Sequence, residues 1–314
     1  MSRRRQPGQK KDVVARLRQR VEEGDYYEAL QLYKTSFARF KIQEKRQEAE
    51  ELLVSGAVAM AKQNELNAAT ELGILLVESY EESEAKVDVA HLSQLALVAE
   101  AMTPGHEMFT FMKRAIRWTG SSTDEAALGL RLTLARAYLQ QGQRGNAARC
   151  FAAAGAPGEY AAMLREWSAQ GYLGERDLFV CRAVLHVLAC NRVEDAAALW
   201  LRAVASPAAG AGGPVDAAPG KGEGEGPPEW ADTPLCHLTR FLVELAQARA
   251  ATGKEAGWAV TDAFTKVKGC YQPSIDRDPD LAQMVDNIGQ VHFGVKAPKQ
   301  TGLMGMLGEM MGGF

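Results

Sequence analysis

Apolar residues recur along this chain with the period of an α-helix almost from end to end. Tyr26, Leu30, Tyr33, Phe37 and Phe40 step by four, three, four and three, which sets five large side chains along one stripe of one helix. Val13, Leu17 and Val21 form a shorter stripe before it. The same pattern returns at Leu92, Leu95, Ala99 and Met102, at Leu238, Phe241, Leu245 and Ala248, and at Leu281, Val285, Ile288 and Val291. No stretch alternates apolar and polar positions with the β-branched enrichment of a strand, so the pattern predicts an all-α protein.

The turns between these stripes resemble one another. Gly24-Asp25-Tyr26-Tyr27-Glu28-Ala29, Asn64-Glu65-Leu66-Asn67-Ala68-Ala69, Gly142-Gln143-Arg144-Gly145-Asn146-Ala147 and Asn191-Arg192-Val193-Glu194-Asp195-Ala196 each open on Gly or Asn and reach Ala five residues later. Gly and Asn end helices, and a small residue one turn into the next helix lets its neighbour approach closely. The openings are 40, 78 and 49 residues apart, and Pro104-Gly105 falls near the middle of the long interval. A helix pair as the repeating unit buries one face only and must stack on the next pair. The predicted architecture is an α-solenoid of TPR-like helical hairpins, about fourteen helices in all.

One segment breaks the pattern: residues 206–228 hold seven Gly and five Pro, a composition that cannot pack. The implied organisation is a basic arm (1–11), helical repeats over 12–154 and 155–205, a Gly- and Pro-rich insertion over 206–230, terminal helices over 231–294 and a Met- and Gly-rich tail over 295–314. The first twenty residues carry eight Lys or Arg against Asp12, a charge of +7, so the remainder of this −3 chain carries −10. A basic arm on an acidic body suits nucleic acid or an acidic protein face. A repeat protein that reads RNA would carry basic residues along the whole array, which this one does not. Five cysteines without a CxxC pair fit reduced thiols, and the absence of a secretory leader or of roughly 18 consecutive apolar residues predicts a cytosolic address.

Candidate chemistry is sparse. Cys181, His186 and Cys190 suggest metal ligands, but at about 100° per residue Cys181 and Cys190 project from opposite sides of one helix. Cys236-His237 pairs a nucleophile with a base, yet adjacent helical residues do not face each other and no third group is evident to orient the His. His91, His106 and His292 read as isolated. Gly220-Lys221-Gly222 lacks the Gly five residues earlier and the Ser or Thr after Lys that a phosphate loop needs. The expectation is no enzyme, no metal and no cofactor.

Two signatures supply a function. Val21 to Ala29 with Tyr33 and Phe37 resembles the N-terminal pattern of the fourth component of the guided-entry pathway for tail-anchored proteins, the Golgi-to-ER-traffic protein four homologues. Tyr271-Gln272-Pro273-Ser274, Arg277-Asp278-Pro279, Ile288-Gly289-Gln290, Phe293-Gly294 and Pro298-Lys299-Gln300-Thr301 resemble that family's C-terminal pattern. Between them, Ser55-Gly56-Ala57, Leu76-Val77-Glu78-Ser79, Ala85-Lys86-Val87 and Arg117-Trp118 are similar too. The resemblance implies a scaffold whose N-terminal half docks a cytosolic targeting ATPase and whose C-terminal half holds a ubiquitin-like or BAG-type co-chaperone. The alternative reading, without the resemblance, is a generic helical-repeat adaptor or RNA-binding helical repeat protein.

Site expectations follow. Arg16 and Arg20, one turn apart on the first helix, with Tyr27, Lys34 and the Glu78, Glu81 and Glu82 cluster, make a mixed-charge surface for the ATPase. Trp230, with Leu238, Phe241, Leu242 and Leu245, is the expected co-chaperone contact, where some family members use a hairpin that the Gly- and Pro-rich segment replaces here. Asp278 and Pro279 are expected to start the last helix and Gly294 to stop it.

Overall fold

The structure, a computed structural model, describes residues 16–17, 19–120, 122–204, 229–251 and 257–295. The basic arm, Val13, residues 205–228 of the Gly- and Pro-rich segment and the tail from 296 onward lie outside the described residues. Within them every regular element is a helix. Residues 16–17 and 19–22 form α1. There follow α2 (Tyr26–Ile42), α3 (Arg46–Lys62), α4 (Leu66–Glu82), α5 (Val89–Ala101), α6 (His106–Thr119), α7 (Glu125–Gln140), α8 (Arg144–Ala154), α9 (Pro157–Ser168), α10 (Arg176–Ala189), α11 (Val193–Val204), α12 (Pro234–Ala251), α13 (Gly257–Cys270), the single turn α14 (Gln272–Ile275) and α15 (Pro279–Phe293). No helix among the described residues is long and apolar enough to cross a membrane. The chain divides into two compact units, Met1–Cys150 and Phe151–Phe314.

In the first unit, the turns that lead into α2, α3, α4, α5 and α8 are each set by one residue in the left-handed region. Gly24, Glu44, Asn64 and Glu84 have φ of +85°, +58°, +62° and +49° and stand 20 residues apart, and Gly142 repeats the feature. The residue after each one donates its N–H to the carbonyl five positions back: Asp25 to Arg20, Lys45 to Phe40, Glu65 to Met60, Ala85 to Tyr80 and Gln143 to Tyr138, at 2.9–3.1 Å. That bond satisfies a carbonyl which the helix end leaves without a partner. The repeat visible in the sequence as 40 residues is therefore two turns of 20. The intermediate turns escape notice because Glu44 and Glu84 occupy a conformation that favours Gly or Asn.

Five residues after a turn, Ala29, Ala49 and Ala69 are buried at the crossing of adjacent helices. Gly56 serves the same purpose deeper in α3. A methyl added there would stand 2.8 Å from the Tyr33 ring and 2.9 Å from Leu72. From α2 to α7 the helices pack on nearest and next-nearest neighbours, with α2, α4 and α6 in one layer and α3, α5 and α7 in the other. The stripe expected on α2 is rotated slightly: Ala29, Leu30, Tyr33 and Phe37 are buried, while Tyr26 and Phe40 are half-buried. Buried Arg131 on α7 donates to the carbonyls of Gly120 (2.7 Å), Ala127 (3.1 Å) and Ser122 (3.2 Å) and so fixes the α6–α7 connection.

The second unit begins the same way. Asn191 (φ +60°) makes the left-handed turn, Ala196 is buried five residues on, and α9 to α12 pack on nearest and next-nearest neighbours. Its end departs from the expected stack, because α15 returns to pack on α10, α12 and α13. Asp278 caps α15 by accepting from the Asp280 N–H at 3.0 Å and ion-pairs with Arg182 of α10, and Arg277 reaches buried Asp177 of α10 at 3.8 Å. Gly294, at φ +67°, ends the helix. Phe264 stacks on Phe293 with centroids 4.5 Å apart and passes over Gly289, where a Cβ would meet its ring at 2.9 Å. Val291, expected in the buried stripe, is exposed, and Phe293 takes its place.

The same chemical change should have opposite effects at two helical glycines. Gly56→Ala forces a methyl against a fully buried ring and should destabilise the fold by about 1–3 kcal/mol. Gly129→Ala, in α7 with nothing within 4 Å of the added carbon, should stabilise it by roughly 0.5–1 kcal/mol through helix propensity. Urea denaturation of both variants checks the contrast, and a stabilised Gly56→Ala would contradict the close approach.

Candidate functional site

Tyr27, Lys34 and Lys41 fall seven residues apart on α2, so they share one side of that helix. The register of the α2, α4 and α6 layer sets acids of α4 against this stripe: Lys34 pairs with Glu71, Lys41 with Glu82, and Arg114 of α6 with Glu81. Glu78 lies half-buried between them on α4. Tyr27 itself is 77% exposed. The layer places Lys34, Glu78, Glu81 and Glu82 on neighbouring helices, with Tyr27 two turns before Lys34 on α2. Arg20 is drawn to the same end by Asp25 (3.2 Å) and Glu28 (3.9 Å), the latter in the first turn of α2 beside Tyr27. Arg16, one turn earlier in α1, is exposed and interacts within the fold.

Glu81 and Glu82 each hold a cation from a neighbouring helix. Lys41, Glu71 and Arg114, which complete the network, escaped the sequence reading. The seven-residue spacing of Tyr27, Lys34 and Lys41 was visible, but the pairing with α4 and α6 depends on helix register. Exposed pairs of this kind contribute about 0–1 kcal/mol each to stability, so their main effect is a surface of fixed, alternating charge with an uncompensated tyrosine at one end. On the other layer an open groove of about 830 Å³ runs between α1, α3 and α5, lined by Val54, Val58 and Leu97 with Glu22, Glu51 and Glu100 at its edges. It offers apolar contact rather than a catalytic set.

In the second unit the expected contact residues separate. Leu238 and Leu242 are wholly buried, together with Leu235, Val243 and Ala246, and so belong to the core of the unit. Their stripe on α12 is displaced from the predicted one by the packing of α10, α11 and α15 around it. Phe241 and Leu245 sit at its edge, half-buried. Phe241 faces Tyr271 with centroids 6.2 Å apart and carries the Arg240 guanidinium over its ring at 5.3 Å. Trp230 stands in a short 3-10 turn, Glu229–Ala231, that packs against α10. Its side chain is half-buried, so part of it is covered by this chain's own fold.

The dismissed chemistry resolves into fold roles. Cys181, within α10, is buried, and Cys190, which follows the last residue of that helix, is exposed. His237 does have an orienting group, since its Nε2 lies 2.9 Å from Asp232 Oδ1. Cys236 nevertheless points into the core, away from it. His91 packs edge-on against Tyr80 with centroids 4.6 Å apart, and His292 bonds the Leu188 carbonyl at 2.8 Å, so neither is isolated. Burial pushes the Cys150 thiol up to about 11. Among the described residues no group of three or more His, Cys, Asp or Glu is placed to hold a metal ion.

The chain resembles known proteins along its length. Residues 43–314 match the family described as Golgi to ER traffic protein 4. The Golgi to ER traffic protein 4 homolog of Gallus gallus is 34% identical over 310 residues, covering 96% of this chain and 86% of that protein. The Homo sapiens homolog is 33% identical over 303 residues, covering 95% and 85%. The crystal structure of C. therm. Get4 superposes with a TM-score of 0.72 over 97% of this chain and 95% of that one, at 21% identity, a likeness of fold.

The division within α12 has a measurable consequence. Leu238→Ala should cost about 2–5 kcal/mol of stability, as for a buried leucine, whereas Phe241→Ala at the edge should cost clearly less. Denaturant unfolding of the two variants tests this, and equal losses would contradict the placement of the buried stripe.

Proposed function

Because the chain belongs to the Golgi to ER traffic protein 4 family, we propose that it is a non-enzymatic cytosolic scaffold bridging a targeting ATPase for tail-anchored proteins and a ubiquitin-like or BAG-type co-chaperone. Membership in the family carries the assignment to protein transport. The observation that supports the finer reading is the α2, α4 and α6 layer of the first unit, with its exposed Tyr27 beside fixed charges of both signs. A rigid, mixed-charge face with an aromatic anchor suits a modest protein interface. Charge complementarity speeds encounter, and the tyrosine supplies desolvated contact area. In the second unit, the exposed parts of Trp230, Phe241 and Leu245 are the side chains that supply apolar contact for the co-chaperone.

A scaffold of this kind needs no chemistry of its own. Holding donor and acceptor on one chain raises their effective concentration for each other, which accelerates transfer with two modest interfaces and a fixed geometry. α2 packs on α3 and α4, and α12 on α10, α11, α13 and α15, so little conformational freedom is lost when these helices bind a partner.

Tyr27→Ala should weaken binding of the ATPase by about tenfold, the equivalent of about 1.4 kcal/mol, with the melting temperature unchanged because the side chain is exposed. Association should also slow as salt rises from about 50 to 500 mM. Surface plasmon resonance on the full chain measures both. Wild-type affinity in the Tyr27 variant together with salt-independent association would place the ATPase elsewhere.

A further inference from the structure

The second unit contains a feature that neither docking surface uses. Cys181 of α10 and Cys236 in the first turn of α12 are 55 positions apart in sequence, and their sulfur atoms meet at 3.7 Å in the core. Both are shielded from solvent. The contact has a direction: Cys236 Sγ–H donates to the Trp230 carbonyl at 3.7 Å, which leaves the Cys181 S–H to point at the Cys236 sulfur. The approach is held from both sides. The Cys236 N–H donates to Thr233 Oγ1 at 3.3 Å, and Thr233 donates to Asp177 of α10 at 3.0 Å, which ties the start of α12 to the helix that carries Cys181.

We propose that Cys181 and Cys236 are a redox-active pair, a buried dithiol that hydrogen peroxide converts reversibly into a disulfide joining α10 to α12. A closure of roughly 1.7 Å brings the sulfurs from contact to the covalent separation of about 2.05 Å. The roles of the two thiols differ. Cys236 is the more acidic because it accepts the Cys181 hydrogen bond, while burial holds Cys181 well above the ordinary thiol range. The Cys236 thiolate attacks one peroxide oxygen and the O–O bond breaks. Hydroxide leaves and takes up the proton that Cys236 released, giving water and a sulfenic acid. The Cys181 sulfur then attacks the Cys236 sulfur, the S–O bond breaks, and the departing oxygen takes the Cys181 proton as a second water. Two thiols are oxidised by two electrons, and one peroxide is reduced to two waters.

Oxidation has a local consequence. The disulfide carries no S–H, so the Trp230 carbonyl loses its donor and the Glu229–Ala231 turn loses a tether. At the same time α10 and α12 become covalently fixed, closing a chain loop that contains α11 and residues 205–228.

The test uses the full chain with Cys150→Ser, Cys190→Ser and Cys270→Ser, which leaves only the two core thiols. Peroxide should remove both titratable thiols, reduce the mass by two hydrogen atoms and yield a proteolytic fragment linking 181 to 236. The oxidised chain should melt higher, amide exchange at 229–231 should rise, and dithiothreitol should reverse all of these. Adding Cys181→Ser should leave Cys236 to gain oxygen instead. Three outcomes would overturn the proposal: two unreacted thiols, oxygen added to Cys236 while Cys181 remains reduced in the two-cysteine chain, or cross-links between chains only. These outcomes are read on the chain alone, so their failure is distinguishable from a failure of ATPase or co-chaperone binding.

Discussion

A left-handed residue followed five positions later by a buried alanine sets the geometry from which the rest of the first unit follows. The left-handed turn closes the preceding helix by returning an N–H to an otherwise unpaired carbonyl, and it starts the next helix at once. The alanine then lets the new helix lie close against the old one. Because Gly24, Glu44 and Asn64 repeat this at intervals of 20, and Glu84 repeats the left-handed turn without the alanine, α2, α3 and α4 are equal in length and stack in register. Layer, register and the ion pairs that cross the layer are consequences of that spacing, since a shift of one residue would turn Lys34 and Lys41 away from Glu71 and Glu82.

Much of this was legible in the sequence, for reasons that are specific. Gly24, Asn64, Gly142 and Asn191 announce their turns because those residue types tolerate positive φ. Glu44 and Glu84 do not. Their backbone strain, typically about 1–3 kcal/mol for such a residue, is sustained by the hydrogen bonds and packing on either side, which no local pattern reveals. The long stripes of α5 and the start of α15 were placed correctly, because several large apolar residues at helical spacing leave one choice of face. On α12 the apolar residues wrap too far round the helix to define one face, and only the neighbours that surround it decide that Leu238 and Leu242 are core while Phe241 and Leu245 lie at the edge.

The surroundings of the candidate contact residues were legible to a lesser degree for the same reason. Charged residues declare themselves in a sequence, but whether they are available depends on partners brought by tertiary packing. Arg20, Glu81 and Glu82 are all engaged within the fold, and Tyr27 is the conspicuous residue left unengaged. The C-terminal signature divides similarly. Arg277, Asp278, Gly289 and Gly294 shape the return of α15 onto α10 and its close contact with Phe264, so that part of the family resemblance describes a fold. The functional assignment comes from the family, and the physics of the chain explains how a rigid helical stack serves it.

Bridging requires that one chain engage both partners at once. The direct measurement is the mass of the complex formed when the full-length chain is mixed with the targeting ATPase and the ubiquitin-like co-chaperone, read by light scattering after size-exclusion chromatography. The proposed bridging role requires one species containing all three, with the affinity for either partner changed less than about fivefold by the presence of the other, below the usual scale of allosteric coupling. Displacement of the ATPase as the co-chaperone is added would contradict it.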